Sequence, residues 1–158
     1  MNKVITPKEA VNISSKLRRE DKIIVLAGGC FDVLHFGHIS FLKKAKNIGD
    51  KLFLLLESDE SVKIKKGKDR PVNNQKNRAN NLAKLKFVDY VIMLPKLEKN
   101  EEYDRLVTQI RPDVIASTKN DPNSVHKRRQ AKLVEAIYIE VIRRLSNLST
   151  TSLLKGKS

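Results

Sequence analysis

At 158 residues, 40% hydrophobic and 32% charged, the chain is long enough for one domain with a filled core and too rich in aliphatics for a disordered tail. No apolar run approaches the roughly 18 residues of a membrane span, residues 23–27 (IIVLA) are too few for a signal-peptide core, and one cysteine, Cys30, excludes an internal disulfide framework or a cysteine-based zinc site; a cytoplasmic protein is expected. Lys and Arg number 32 against 18 Asp and Glu, a net charge of +14 that attracts polyanions, nucleic acid and phosphorylated metabolites alike.

Thr6-Pro7-Lys8-Glu9 reads as a capping box with proline at the first helical position, and Ala10, Ile13 and Leu17 recur at helical spacing, which predicts a helix over 7–19. Residues 22–27 read as a buried strand ending at Gly28-Gly29, followed by a turn and a helix over about 38–47. A second apolar strand spans 51–57, and residues 63–70 (KIKKGKDR) read as a basic loop. A helix over 74–86 follows, capped by Asn73 or Asn74, then a strand over 90–94 and a helix over 101–110 stopped by Arg111-Pro112. Residues 114–116 form a short strand, Asp121-Pro122 opens a helix running through 127–136, and 137–142 is a β-branched fifth strand. The tail, 149–157, begins like a capped helix. This alternation predicts a doubly wound α/β domain over 1–158: a mainly parallel five-stranded sheet with helices on both faces, and 1–21 as an N-terminal helical extension.

Ligands of such sheets bind at the carboxyl ends of the strands. The first long strand ends at Gly28-Gly29, so Cys30-Phe31-Asp32-Val33-Leu34-His35-Phe36-Gly37-His38 falls where chemistry is expected. The two glycines permit a tight turn and close approach of a ligand. His35 and His38, three apart, share a helix face that Gly37 leaves open, and the helix start adds free amides suited to an anion. Two imidazoles, an amide cluster and a glycine opening suit the phosphates of a nucleotide. The plainer readings are a helix cap for either histidine, a metal site lacking a third ligand, and Cys30 as a small turn residue rather than a nucleophile; the spacing G-x-G-x-x-G is absent.

GGCFDVLHFGH resembles the G-x-F-D-x-x-H-x-G-H signature of the cytidylyltransferase-like nucleotidyltransferases, nearest to the heptose-1-phosphate adenylyltransferase domain and to glycerol-3-phosphate cytidylyltransferase. Further stretches match in order: residues 42–60, 66–92 (with KGKDRPVN), 110–116 (IRPDVIA) and 144–155 (RLSNLSTTSLLK). The resemblance implies a Rossmann-like fold and transfer of a nucleotidyl group from a nucleoside triphosphate, accompanied by Mg²⁺, to a phosphorylated acceptor. Family members are commonly homodimers.

Carried over position by position, the resemblance implies that His35 and His38 contact the triphosphate and stabilise charge, with Lys66 as a third catalytic residue. Gly29, Cys30, Phe31, Asp32 and Gly37 of the signature then bind nucleotide, together with Arg144 and the hydroxyls of Ser149, Thr150 and Thr151. Arg70, Arg78 and Lys119 are implied on the acceptor side, and Asp32 orients the signature turn or holds Mg²⁺ through water. No metal ligand set is implied within the protein itself. Lys86 stands where the glycerol-3-phosphate enzymes have arginine, Asn147 where a glycine precedes the final motif, and residues 117–121 (STKND) replace a Lys-Gly-Gly-Asp stretch. The expected function is adenylyl transfer from ATP to a sugar or polyol phosphate with release of pyrophosphate. The alternatives are cytidylyl transfer to glycerol 3-phosphate or a similar alcohol phosphate and, in another class, a non-catalytic nucleic-acid-binding protein motivated by the charge.

Overall fold

A computed structural model describes residues 2–141. Six strands form one parallel sheet in the order β1-β4-β3-β2-β5-β6: β1 Val4–Ile5, β2 Ile24–Gly29, β3 Lys51–Leu56, β4 Tyr90–Met93, β5 Val114–Thr118 and β6 Ile137–Val141. The expected five strands are thus corrected to six. The extra one, β1, is a two-residue edge strand pairing Val4 with Val91 and Ile5 with Ile92. Two residues carry no periodicity to read, and only the partner strand makes them a strand.

Helices α1 Pro7–Arg19, α2 Phe36–Lys46, α3 Asp59–Lys66, α4 Gln75–Ala83, α5 Asn100–Ile110 and α6 Ser124–Val134 connect the strands. The capping box at α1 is present, with Thr6 Oγ1 accepting from the Glu9 amide at 3.1 Å and Glu9 Oε1 accepting from the Thr6 amide at 2.8 Å. α3 overturns the loop expected from residue 63. Ser58 Oγ caps the Ser61 amide, Asp59 and Glu60 occupy the first turn, lysines the last, and Gly67 ends it at φ 114°.

Strand residues alternate between two cores, as buried parallel strands must. Val25, Ala27, Leu52, Leu54, Val91 and Ala116 pack against Phe41, Leu42 and Ala45 of α2 and Ala79 and Leu82 of α4. Ile24, Leu26, Phe53, Ile92 and Ile115 pack against α1, α5 and α6 through Ala10, Leu17, Leu106, Val107, Ile110 and Ala131. Gly49 is needed for packing: a Cβ there would meet Ile23 Cγ2 and Val25 Cγ2, each at 2.8 Å. Among the described residues no helix is long and apolar enough to cross a membrane.

The chain winds outward from β2 in both directions, to β3 and β4 on one side and to β5 and β6 on the other. That reversal creates a crevice at the carboxyl ends of β2 and β5. Register sharpens the point. β2 pairs with β3 along its whole length, to Gly29 opposite Leu56, but with β5 only at Val25–Val114 and Leu26–Ile115. Beyond Leu26 the two strands part, and the signature begins there.

Candidate active site

His35 is the N-cap of α2, in extended conformation at φ −131°, and its Nδ1 accepts the Gly37 amide at 3.0 Å. His38, one turn on, returns the bond: its Nδ1 accepts the His35 amide at 3.3 Å. Two histidines therefore play the parts that Ser/Thr and Glu play in an ordinary capping box. The cap and ligand readings of His35 are compatible, because its cap uses Nδ1 and leaves Nε2. A backbone N–H can be accepted only by an unprotonated Nδ1, so in the neutral form each ring carries its proton on Nε2. The rings stack at 3.9 Å between centroids, 26° between planes. Gly37 is buried in the first turn, where its amide serves the cap.

Phe31 holds the turn in the left-handed region at φ 47°, an uncommon setting for a bulky residue, and lays its ring edge-on to His38 at 5.5 Å. A Cβ on Gly29 would stand 3.2 Å from that ring, so glycine leaves the room Phe31 needs. Asp32 supplies the anchor. Its buried carboxylate accepts Arg70 Nε at 2.6 Å and the amides of Val72 and Asn73 at 2.8 and 2.9 Å, and its carbonyl accepts Asn73 Nδ2 at 2.8 Å. Burial opposes ionisation, but the Asn73 and Val72 amides and the Arg70 guanidinium outweigh it and hold this carboxyl below its ordinary value.

Arg78, expected on the acceptor side, lies elsewhere and is corrected. It is fully buried, with Nε donating to Asn73 O (2.9 Å), Nη1 to Cys30 O (2.8 Å) and Glu57 O (3.0 Å), and Nη2 to Asp59 Oδ1 (2.6 Å). The guanidinium clamps three segments, the signature turn at Cys30, the β3–α3 junction at Glu57 and Asp59, and the loop before α4 at Asn73, and has no exposed face. Arg70 is half committed, its Nε to Asp32 and its side chain 36% exposed. Lys66, the last residue of α3, is exposed. Cys30 is partly exposed; burial pushes its thiol up, against the pull of Lys65, and no base is bonded to it among the described residues. Lys119 is exposed in the turn after β5, beside Asn120 at φ 64°. There Asp121 accepts Ser117 Oγ, the Asn123 amide and Lys127 Nζ, which outweigh its burial and keep its carboxyl low. Arg144, Ser149, Thr150 and Thr151 lie outside the described residues.

No three His, Cys, Asp or Glu side chains stand together as a metal cluster among the described residues. Asp32 commits both carboxylate oxygens to protein donors, which makes it the anchor of the turn.

The sequence reading missed one group. Glu57, which ends the apolar run KLFLLL of β3, is buried and binds Tyr103 Oη of α5 at 2.8 Å and Lys65 Nζ of α3 at 2.9 Å. A carboxylate closing a buried strand at the ligand edge was the available signal.

Residues 26–155 match the family model described as cytidylyltransferase-like. The chain is 44% identical over 110 residues to the bifunctional protein HldE of Campylobacter fetus, covering 68% of this chain and 23% of that protein, and 46% identical over 103 residues to the HldE of Nitratiruptor, covering 65% and 21%. It therefore spans under a quarter of the length of these relatives. Among solved structures, the lipopolysaccharide core biosynthesis protein of Thermoplasma volcanium superposes with a TM-score of 0.59 at 27% identity, covering 77% of this chain and 95% of that one. The pantoate-beta-alanine ligase of Francisella tularensis reaches the same TM-score at 18% identity, covering 98% of this chain and 77% of that one, a likeness of fold.

Proposed function

Because the chain belongs to the cytidylyltransferase-like family, we propose that it is a nucleotidyltransferase that moves AMP from ATP to a sugar or polyol phosphate. In this reaction a phosphate oxygen of the acceptor attacks the α-phosphorus. The bond from that phosphorus to the β-phosphate oxygen breaks, and pyrophosphate leaves. The acceptor is its own nucleophile, so the protein is asked for position and charge stabilisation rather than covalent chemistry.

The observation that carries the reading is the reciprocal cap of His35 and His38. It fixes both rings at the carboxyl end of β2 and, in the neutral form, puts their protons on Nε2, so that His35 offers a donor whose orientation is set before any ligand binds, with the His38 ring stacked against it. Donors preset where negative charge grows are the main resource for such a transfer. The amides of the α2 start and the exposed Lys66 add positive potential along the same edge. Arg70, Asp32 and Arg78 act at one remove, by fixing the signature turn. We assign Mg²⁺ to the triphosphate as it arrives, with Arg144, Ser149, Thr150 and Thr151 as its proposed partners on the tail and Lys119 on the acceptor side.

The test incubates the protein with each nucleoside triphosphate and a panel of sugar and polyol phosphates and measures pyrophosphate. Release with ATP and one acceptor, lost in His38→Ala while ATP still binds, is expected. No release with any pair overturns the proposal, and preference for CTP with glycerol 3-phosphate replaces the adenylyl reading by the cytidylyl one.

A further inference from the structure

The cluster of buried Glu57, half-buried Tyr103 and exposed Lys65 has no part in the transfer just described, and the cost of burying its carboxylate calls for a reason. A carboxylate taken out of water is stabilising only when well paired, and apolar side chains could fill the same space more cheaply. The cluster is built into the signature turn. The Glu57 amide donates to Gly29 O at 3.2 Å, and the Glu57 carbonyl accepts Arg78 Nη1 at 3.0 Å. Its carboxylate then draws in Tyr103 from α5 and Lys65 from α3, the ammonium lying 5.9 Å over the Tyr103 ring. Arg78 Nη1 donates to Cys30 O at 2.8 Å as well as to the Glu57 carbonyl, so the group is tied to the turn at Cys30.

We propose that this cluster is the subsite that reads the hydroxyl groups of the acceptor, with Lys65 in contact and Glu57 and Tyr103 as positioning residues; this rests on the transfer reaction proposed above. The pair of Glu57 and Lys65 has no net charge, so it adds little pull on a phosphate. The phosphates already have the histidines, the helix start and Lys66. What the pair offers is direction. Lys65 keeps a 38% exposed side chain and an ammonium with three donors, of which the carboxylate takes one. Tyr103 closes the other carboxylate oxygen and presents an aromatic wall. Such a site hydrogen-bonds hydroxyls and penalises a ligand that leaves its polar groups unpaired.

Calorimetric titration of the wild type, Lys65→Met, Lys65→Arg and the control Lys68→Met with ATP, glucose 1-phosphate, glycerol 3-phosphate and ethyl phosphate tests this. The wild type is expected to bind at least one hydroxylated phosphate about tenfold or more tighter than ethyl phosphate, the scale of one hydrogen bond to a charged group. Lys65→Met should collapse that preference with ATP affinity unchanged, Lys65→Arg should restore part of it, and Lys68→Met should keep it. Glu57→Gln and Tyr103→Phe should weaken the preference in the same direction. A preference retained in Lys65→Met, equal loss of all four ligands, or no preference in the wild type overturns the inference. Pyrophosphate release is assayed separately: its absence with the hydroxyl preference intact sinks the transfer reaction and leaves this subsite standing.

Discussion

Under the proposed transfer His35 does two jobs with two nitrogens, and substitution can separate them. Asparagine is a strong N-cap and can accept the Gly37 amide as Nδ1 does, whereas alanine cannot; losing a cap costs about 1 kcal/mol. His35→Asn should therefore keep the stability of α2 and still lose the Nε2 donor, with pyrophosphate release falling about 10²–10³-fold, the scale of one preset donor. His35→Ala should show the same loss of rate and a lower unfolding midpoint. Equal rates for His35→Asn and wild type would confine His35 to capping. Asp32 gives a second prediction. Its folded carboxyl titrates below the ordinary value near 4, so the stability it confers is complete above that value and is lost as pH falls through the depressed one. In thermal melts from pH 6 to pH 2.5, the advantage of wild type over Asp32→Asn should shrink at the acid end, whereas an advantage constant across that range would exclude an ionised Asp32 as its source. Of these residues the sequence showed the pattern around His35, His38 and Asp32, because they fall within one stretch of seven residues. It could not show Arg78 as a clamp, since Cys30 O, Glu57 O and Asn73 O meet only when β2, β3 and α4 are assembled.

Among the elements, α1 was legible to its ends because its signals are local: Thr6 and Glu9 cap one end, and the apolar spacing of Ala10 and Leu17 sets the buried face. α3 carries equally local signals in Ser58, Asp59 and Gly67, yet residues 63–70 hold so many lysines that the segment reads as loop. Its eight residues bury only Ser61 and Val62, so periodicity had almost nothing to mark. β1 has no local signal at all; Val4 and Ile5 are strand because β4 lies beside them. The box at Thr6 does more than start a helix, since it fixes the exit of β1 and the entry of α1 together. Thr6→Ala should cost about 1 kcal/mol, which in a domain of this length lowers the melting temperature by about 2–4 °C. A shift within error would mean that packing of Ala10 and Leu17 alone holds this end.

At the scale of the whole molecule, alternation of strand and helix sufficed to read a parallel sheet, but not the order β4-β3-β2-β5-β6 that makes a crevice beside Gly29. Strand order depends on which connections reverse, and no single connection records that. Charge is likewise a whole-molecule property, and +14 alone leaves two partners open, a long polyanion or a small one. The proposed transfer favours the small one, because its contacts would concentrate where His35, His38 and the α2 N-terminus follow the end of β2, whereas binding to a duplex needs cations spread along a surface. The two cases respond differently to salt, because each phosphate neutralised releases counterions. A protein making six to ten contacts to duplex DNA loses about 10³–10⁵ in affinity between 50 and 200 mM salt. A triphosphate held by a few preset donors has fewer counterions to release, and its affinity should fall by about tenfold or less over that range. Titrating ATP and a 20-base-pair duplex at both salt concentrations separates them. Saturable ATP binding that survives 200 mM salt, with duplex binding gone, is the expected result. Tight duplex binding at 200 mM with no measurable affinity for any triphosphate would instead make the charge the functional feature and the crevice an inheritance of the fold.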